Sequence, residues 1–157
     1  MIYVFDTVSL SRLKFFYPDV FSSMWNSLDG LVQQRELIST REVWNEMQRG
    51  NPDPHVTRWL NERKDLIFTT PTNVELQFVA QIFQVNHFQG LIGAQQRLKG
   101  TPVADPFVIA CAKAHNGTVV TEEALKPNAA KIPNVCQHFK IPCINLQKFM
   151  QYQGWSF

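Results

Sequence analysis

The chain of 157 residues carries 15 Lys+Arg against 13 Asp+Glu, three cysteines and 45% hydrophobic residues. These are the proportions of one domain over residues 1–157, able to bury about 70% of its unfolded surface without staples. Three thiols cannot build a disulfide framework and suit a reducing cytoplasm; no apolar run approaches the ~18 residues of a membrane span, Met1-Ile2-Tyr3-Val4-Phe5-Asp6 lacks the basic start of a secretory signal, and a net charge of +2 gives no polybasic footprint.

In chain order, Ile2 to Phe5, Leu37-Ile38, Leu66 to Phe68, Val119-Val120 and Cys143-Ile144 read as strands, each a short apolar run bounded by polar or turn residues. Runs apolar on both faces suit a parallel sheet covered by helices. Between them, Val20, Phe21, Met24, Trp25, Leu28, Leu31 and Val32 recur at i, i+3/i+4, as do Val74, Phe78, Val79, Ile82 and Phe83, which predicts two amphipathic helices. Ser39 and Glu42 form a capping-box pattern for a helix after the second strand. Asp53-Pro54 and Asp105-Pro106 each read as an N-cap followed by proline at the first helical position. From Asn86 to Ala104 the period is lost, and Gly90, Gly93 and Gly100 interrupt a loop or short helix. Alternating strands and helices predict a three-layer α/β/α sandwich around a mostly parallel sheet of four to five strands.

Ligands of an open parallel sheet bind at the carboxyl ends of its strands. Asp6 follows the first strand directly, Glu42 and Glu46 lie on the helix after the second, Glu122 and Glu123 follow Val119-Val120-Thr121, and Asp105 opens the helix that leads into that same strand. Carboxylates gathered there repel one another unless a cation stands between them. Oxygen ligands without a matching His or Cys cluster favour Mg²⁺ or Mn²⁺, and one or two such ions would activate water for phosphodiester displacement. Glu42 reads as the capping partner, whereas Glu46, one turn on, has no capping task. Glu122 and Glu123 also suit the first turn of a helix, and their adjacency allows only one to point inward.

The segments Val4-Phe5-Asp6-Thr7, Leu37 to Met47, Ala104 to Ala112 and Thr118 to Glu123, in this order and spacing, resemble the PIN domain, a compact α/β/α nuclease fold. The closing Lys131 to Cys136 and Ile141 to Leu146 are similar to a prokaryotic PIN-like branch close to the VapC toxins. The resemblance implies that Asp6, Glu46, Asp105 and Glu123 are the catalytic, metal-holding acids, with Thr7, Ser9, Thr121, Glu122 and Glu42 in supporting positions. It implies an Mg²⁺- or Mn²⁺-dependent ribonuclease, with the toxin of a toxin–antitoxin module as its expected setting. Two departures stand out: Val8 occupies the usual small polar position, with Ser9 as its stand-in, and the fourth acid is Glu rather than Asp. They keep open the alternative of a degenerate domain that binds RNA or a protein without cleavage.

Arg97, Lys99, Lys126 and Lys131 are candidate RNA phosphate contacts. Phe15, Phe16, Tyr17, Phe21 and Trp25 supply core, with any exposed remainder fit for a homodimer face or an antitoxin groove. Cys136, His138 and Cys143 read as buried thiols and a loop histidine rather than a zinc set. Setting the four acids aside leaves the 15 basic residues in clear excess, so the near-neutral total is compatible with an RNA substrate.

Overall fold

The structure, a computed structural model, describes residues 1–92 and 103–157. Arg97, Lys99, Gly93 and Gly100 therefore lie outside the described residues. All five expected strands form: β1 (Tyr3–Phe5), β2 (Leu37–Thr40), β3 (Phe68–Thr69), β4 (Thr118–Val120) and β5 (Cys143–Ile144). They make one parallel sheet in the order β3-β2-β1-β4-β5. Leu66 and Ile67, expected in the third strand, belong instead to a helical turn, and only Phe68 of that run is in β3. The sequence runs outward from β1 through β2 to β3 and then crosses back to β4 on the other side of β1. The order thus reverses between β1 and β4, which is where α/β sheets open a binding crevice.

The helices are α1 (Thr7–Ser11), α2 (Ser22–Gln33), α3 (Arg41–Arg49), α4 (Pro54–Glu62), α5 (Lys64–Ile67), α6 (Asn73–Gln84), α7 (Asp105–Ala114), α8 (Ile132–Phe139) and α9 (Leu146–Tyr152). Both helices predicted from periodicity are present as α2 and α6. The stretch after Asn86 begins with a 3₁₀ turn, Asn86–Leu91. No described helix is long and apolar enough to cross a membrane.

Val4, Phe5, Val119 and Val120 are fully buried, and Phe149 of α9 meets Tyr3 and Phe5 edge-to-face at 4.9 and 5.0 Å. Trp25 is buried, while Phe15 and Tyr17 remain exposed. At the amino end of β4, Asn116 takes a left-handed φ of 51° and Gly117 packs so close to β1 that a Cβ would meet the Ile2 carbonyl oxygen at 2.8 Å.

Local capping differs from expectation at several helices. Asp53 caps α4 as predicted, accepting from the Val56 N–H at 3.0 Å. The Ser39–Glu42 box does not form. Thr40 is the N-cap of α3, because Ser39 Oγ donates to the Phe5 carbonyl at 2.6 Å and is thereby tied to β1, while Glu42 pairs with Arg41 at 2.7 Å. A complete capping box occurs at Thr72 and Glu75 instead. Ala104, not Asp105, is the N-cap of α7, and it offers no side-chain cap. His138 is not in a loop but in the last turn of α8, stacked edge-on against Phe88 at 5.2 Å.

Candidate metal centre

Each acid reaches the carboxyl rim by a different local device. Asp6 leaves β1 with its backbone N–H still donating to the Val120 carbonyl at 3.1 Å, which extends the β1–β4 ladder by one residue. Its backbone is extended, and it becomes the N-cap of α1. Oδ1 accepts from the Ser9 N–H at 2.8 Å, and Ser9 Oγ lies 2.7 Å from Oδ1 and 2.9 Å from the Val120 carbonyl. A hydroxyl has one proton, so Ser9 serves one of these acceptors at a time. Thr121 Oγ1 donates to Oδ2 at 2.5 Å and itself accepts from the Glu123 N–H at 3.2 Å.

Asp6 is only 3% exposed. Burial raises its pKa, the Thr121 and Ser9 donors pull it down, and the charge of Glu123 pushes it up again. Ser9, not the exposed Val8, is the residue that supports Asp6. The neighbouring Thr7 Oγ1 is buried without a hydrogen-bond partner.

Asp105 is the first residue of α7, one residue inside the N-cap position expected. That shift removes its capping task, and its carboxylate makes no hydrogen bond to a described residue. Its pKa is pushed up to about 7, first by burial and then by the charges of Glu123, Glu46 and Asp6, with Lys131 opposing. The repulsion identifies which acids the fold brings together. Acids from three other segments, after β1, on α3 and after β4, thus bear on the carboxyl group at the start of α7.

Glu46 Oε2 accepts from the Ala104 N–H at 3.3 Å, so the α3 acid reaches across to the residue preceding Asp105. Glu122 and Glu123 do not start a helix; they sit in a loop after β4 and diverge. Glu123 Oε2 accepts from Ile132 N–H, the first residue of α8, at 2.9 Å, and Glu122 Oε1 accepts from Leu146 N–H, the first residue of α9, at 2.7 Å. Both therefore cap helices that begin elsewhere in the sequence. Glu123 is the one whose charge acts on Asp6 and Asp105.

Glu122 faces an apolar cavity of about 500 Å³ with Arg12, Phe15, Phe16, Met150 and Trp155. Glu42, ion-paired with Arg41, is not among the acids acting on Asp105. Among the candidate phosphate contacts, exposed Lys131 influences Asp105, and Lys126 lies exposed on the loop before α8. Oxygen ligands alone, on two buried or partly buried aspartates and two glutamates, fit a hard divalent cation better than zinc.

Sequence reasoning missed a second set of donors. Glu75 of α6, Cys111 of α7 and His115, the C-cap of α7, present ligand atoms within 4.8 Å of one another. The Cys-x₃-His spacing, one helical turn, was the available signal for two of the three.

No curated protein matches the chain significantly. Among solved structures, VapBC2 from Rickettsia felis, bound to a DNA fragment from their promoter, is similar with a TM-score of 0.53 and 17% identity, over 92% of this chain and 98% of that one. FitAcB from Neisseria gonorrhoeae is similar with a TM-score of 0.51 and 16% identity, over 92% and 97%. These likenesses, each over 92% of the chain, support the PIN-like architecture. The family described as "Domain of unknown function (DUF4411)" matches residues 3–157. The chain belongs to that family, and its fold is PIN-like.

Proposed function

We propose that residues 1–157 form one metal-dependent endoribonuclease domain in which Asp6, Glu46, Asp105 and Glu123 hold one or two Mg²⁺ or Mn²⁺ ions. The observation that carries this reading is the strained charge at Asp105. A carboxyl group pushed to about 7 by burial and by three other carboxylates is an arrangement that folding alone does not reward, and a bound divalent cation would relieve it. When bound, the ion supplies a hydroxide near neutral pH and positive charge against the phosphate oxygens.

The chain's own groups perform the remaining work. Asp6 is held in one orientation by Ser9 and Thr121, so its ligand geometry is preset before metal arrives. Glu123 keeps one oxygen on the α8 N-terminus, which leaves the other for the site. Lys131, close enough to act on Asp105, is placed to meet a phosphate at the rim.

The likeness to VapBC2 supports a toxin-like role with an antitoxin-type protein partner. The exposed Phe15, which lines the apolar cavity, and the exposed Tyr17 are the surface we assign to that partner or to a second copy of the chain.

Purified protein should cleave RNA with Mg²⁺ or Mn²⁺ and stop with chelator. Asp6→Asn and Asp105→Asn should each lower cleavage by about 100-fold or more, the scale of losing one group that stabilises transition-state charge. Full activity in both variants overturns the assignment. Loss of cleavage by the wild type, together with intact RNA binding and no Mn²⁺ heat by calorimetry, would favour the degenerate domain, a reading that Glu123's commitment to Ile132 supports.

A further inference from the structure

Glu75 on α6, Cys111 on α7 and His115 at the end of α7 meet where these two helices pack, and their donor chemistry differs from that of the four acids. Cys111 lies in the last turn of α7 and His115, four residues on, is its C-cap, whose N–H still donates to the Cys111 carbonyl at 3.1 Å, so the two side chains share one face. Cys111 Sγ lies 3.7 Å from His115 Nδ1. Bonds of about 2.3 Å to sulfur and about 2.0 Å to nitrogen at a tetrahedral zinc set those two atoms about 3.6 Å apart. The spacing of a zinc edge is thus present before any ion binds.

Glu75 supplies the third corner. It is 2% exposed, and its Oε2 is spent on the Thr72 N–H in the capping box at 2.7 Å. Its Oε1 is buried without a hydrogen-bond partner, and Glu75 makes no ion pair among the described residues. A buried carboxylate oxygen left without donor or cation is costly unless something fills the gap. The capping box explains one oxygen of Glu75 and leaves the other facing the Cys111 thiol, which burial and the Glu75 charge push up to about 12, so a metal would have to displace the thiol proton as it binds.

We propose that Glu75, Cys111 and His115 form a transition-metal site for Zn²⁺ or a similar borderline-soft divalent ion, distinct from the carboxylate centre. One sulfur, one nitrogen and one oxygen donor suit such an ion and suit Mg²⁺ poorly. All three ligand atoms lie within 4.8 Å of one another, so closure needs shifts of about 1 Å. His115 is exposed, which leaves the fourth position to water. His115 Nδ1 rests 2.9 Å from the Cys111 carbonyl in the metal-free protein; binding exchanges that contact for the metal bond.

The site would clip α6 to α7 through side chains of both. Because α7 begins at Asp105, the clip fixes the helix that carries one of the four acids. This inference stands whether or not the chain cleaves RNA.

The test is titration of the metal-free protein with Co²⁺, followed by absorption spectroscopy. A thiolate-to-cobalt charge-transfer band at one equivalent is expected in the wild type and in Asp105→Asn. The band should vanish in Cys111→Ser, and affinity should fall by more than about tenfold in His115→Ala, a loss typical even of an outer-sphere partner. His115 is exposed, so its variant keeps the fold and remains informative if Cys111→Ser does not fold. Zn²⁺ should also raise the wild-type melting temperature with the logarithm of its concentration and leave that of His115→Ala unchanged. Absence of the band in wild type, or its persistence in Cys111→Ser through Cys136 or Cys143, overturns the proposal. A band abolished by Asp105→Asn would assign the ion to the carboxylate centre and overturn it equally.

Discussion

Thr121 donates its hydroxyl proton to Asp6 Oδ2 and accepts the N–H of Glu123, so one side chain couples the acid after β1 to the backbone of the acid after β4. Thr121→Val keeps the volume and removes both bonds. It should cost about 1–3 kcal/mol, the penalty for stripping a donor from a buried group, with the loss greatest at high pH where Asp6 must carry charge. Thr121→Ser should recover most of it. Urea denaturation at two pH values measures the effect, and equal stability of Thr121→Val and wild type at pH 8 contradicts it.

The metal-free protein should lose stability as pH rises. Asp105 has an unfolded pKa of about 3.9. In the folded state that value is raised to about 7 by burial and three carboxylates. Below the lower value both states hold the proton. Between the two, only the folded state holds it, so stability falls with each step in pH, and above the upper value the loss is complete. The raised pKa of Asp6 acts in the same direction. Melting temperatures without metal should therefore decline from pH 5 to pH 8, and saturating Mn²⁺ should reverse the trend. A flat profile in the wild type would falsify this account.

Asp105→Asn separates stability from function. Amide for carboxylate removes the repelled charge while nearly preserving shape, so the metal-free variant should melt higher than wild type at pH 8 and show a flatter pH profile. The same substitution should abolish Mn²⁺-dependent cleavage. A variant less stable than wild type at pH 8 would mean that the carboxylate is satisfied in some other way.

Glu122 and Glu123 should answer differently to mutation. Glu123→Gln keeps an oxygen for the Ile132 N–H but removes a charge acting on Asp6 and Asp105, so Mn²⁺ affinity should fall while the metal-free protein melts no lower than wild type at pH 8. Glu122→Ala loses the cap on α9 and should cost about 1 kcal/mol without altering Mn²⁺ affinity. Calorimetry with Mn²⁺ on both variants gives the comparison, and equal losses of affinity would show that the two acids share the site.

Gly117→Ala probes the opposite end of the sheet. The added Cβ would lie 2.8 Å from the Ile2 carbonyl oxygen, which also accepts the Thr118 N–H at 2.9 Å. Backbone on both sides leaves nothing flexible to yield, so the variant should lose about 1–3 kcal/mol. Thermal melting decides it.

The strands were legible because a parallel sheet covered on both faces needs uninterrupted apolar runs, and Val4-Phe5 and Val119-Val120 are such runs. Asp6 was legible for the same reason, as the first charge after a buried strand. The caps were not. Ser39 is drawn off its helix by a carbonyl 34 residues away, and Ala104 takes the N-cap although Asp105-Pro106 has the local signature. Glu122 and Glu123 act on helices that begin 24 and 9 residues downstream. In each instance a bond set by tertiary structure outweighs a local preference. Glu75 was hidden likewise, since only the packing of α6 on α7 brings it to Cys111 and His115.

The bond from the Ile132 N–H to Glu123 closes residues 124–131 at their base, with both ends pinned to the acid itself. Chain length within that segment is thereby uncoupled from the position of the carboxylates. Insertions or deletions there can reshape this part of the rim while Glu123 stays in register with the sheet.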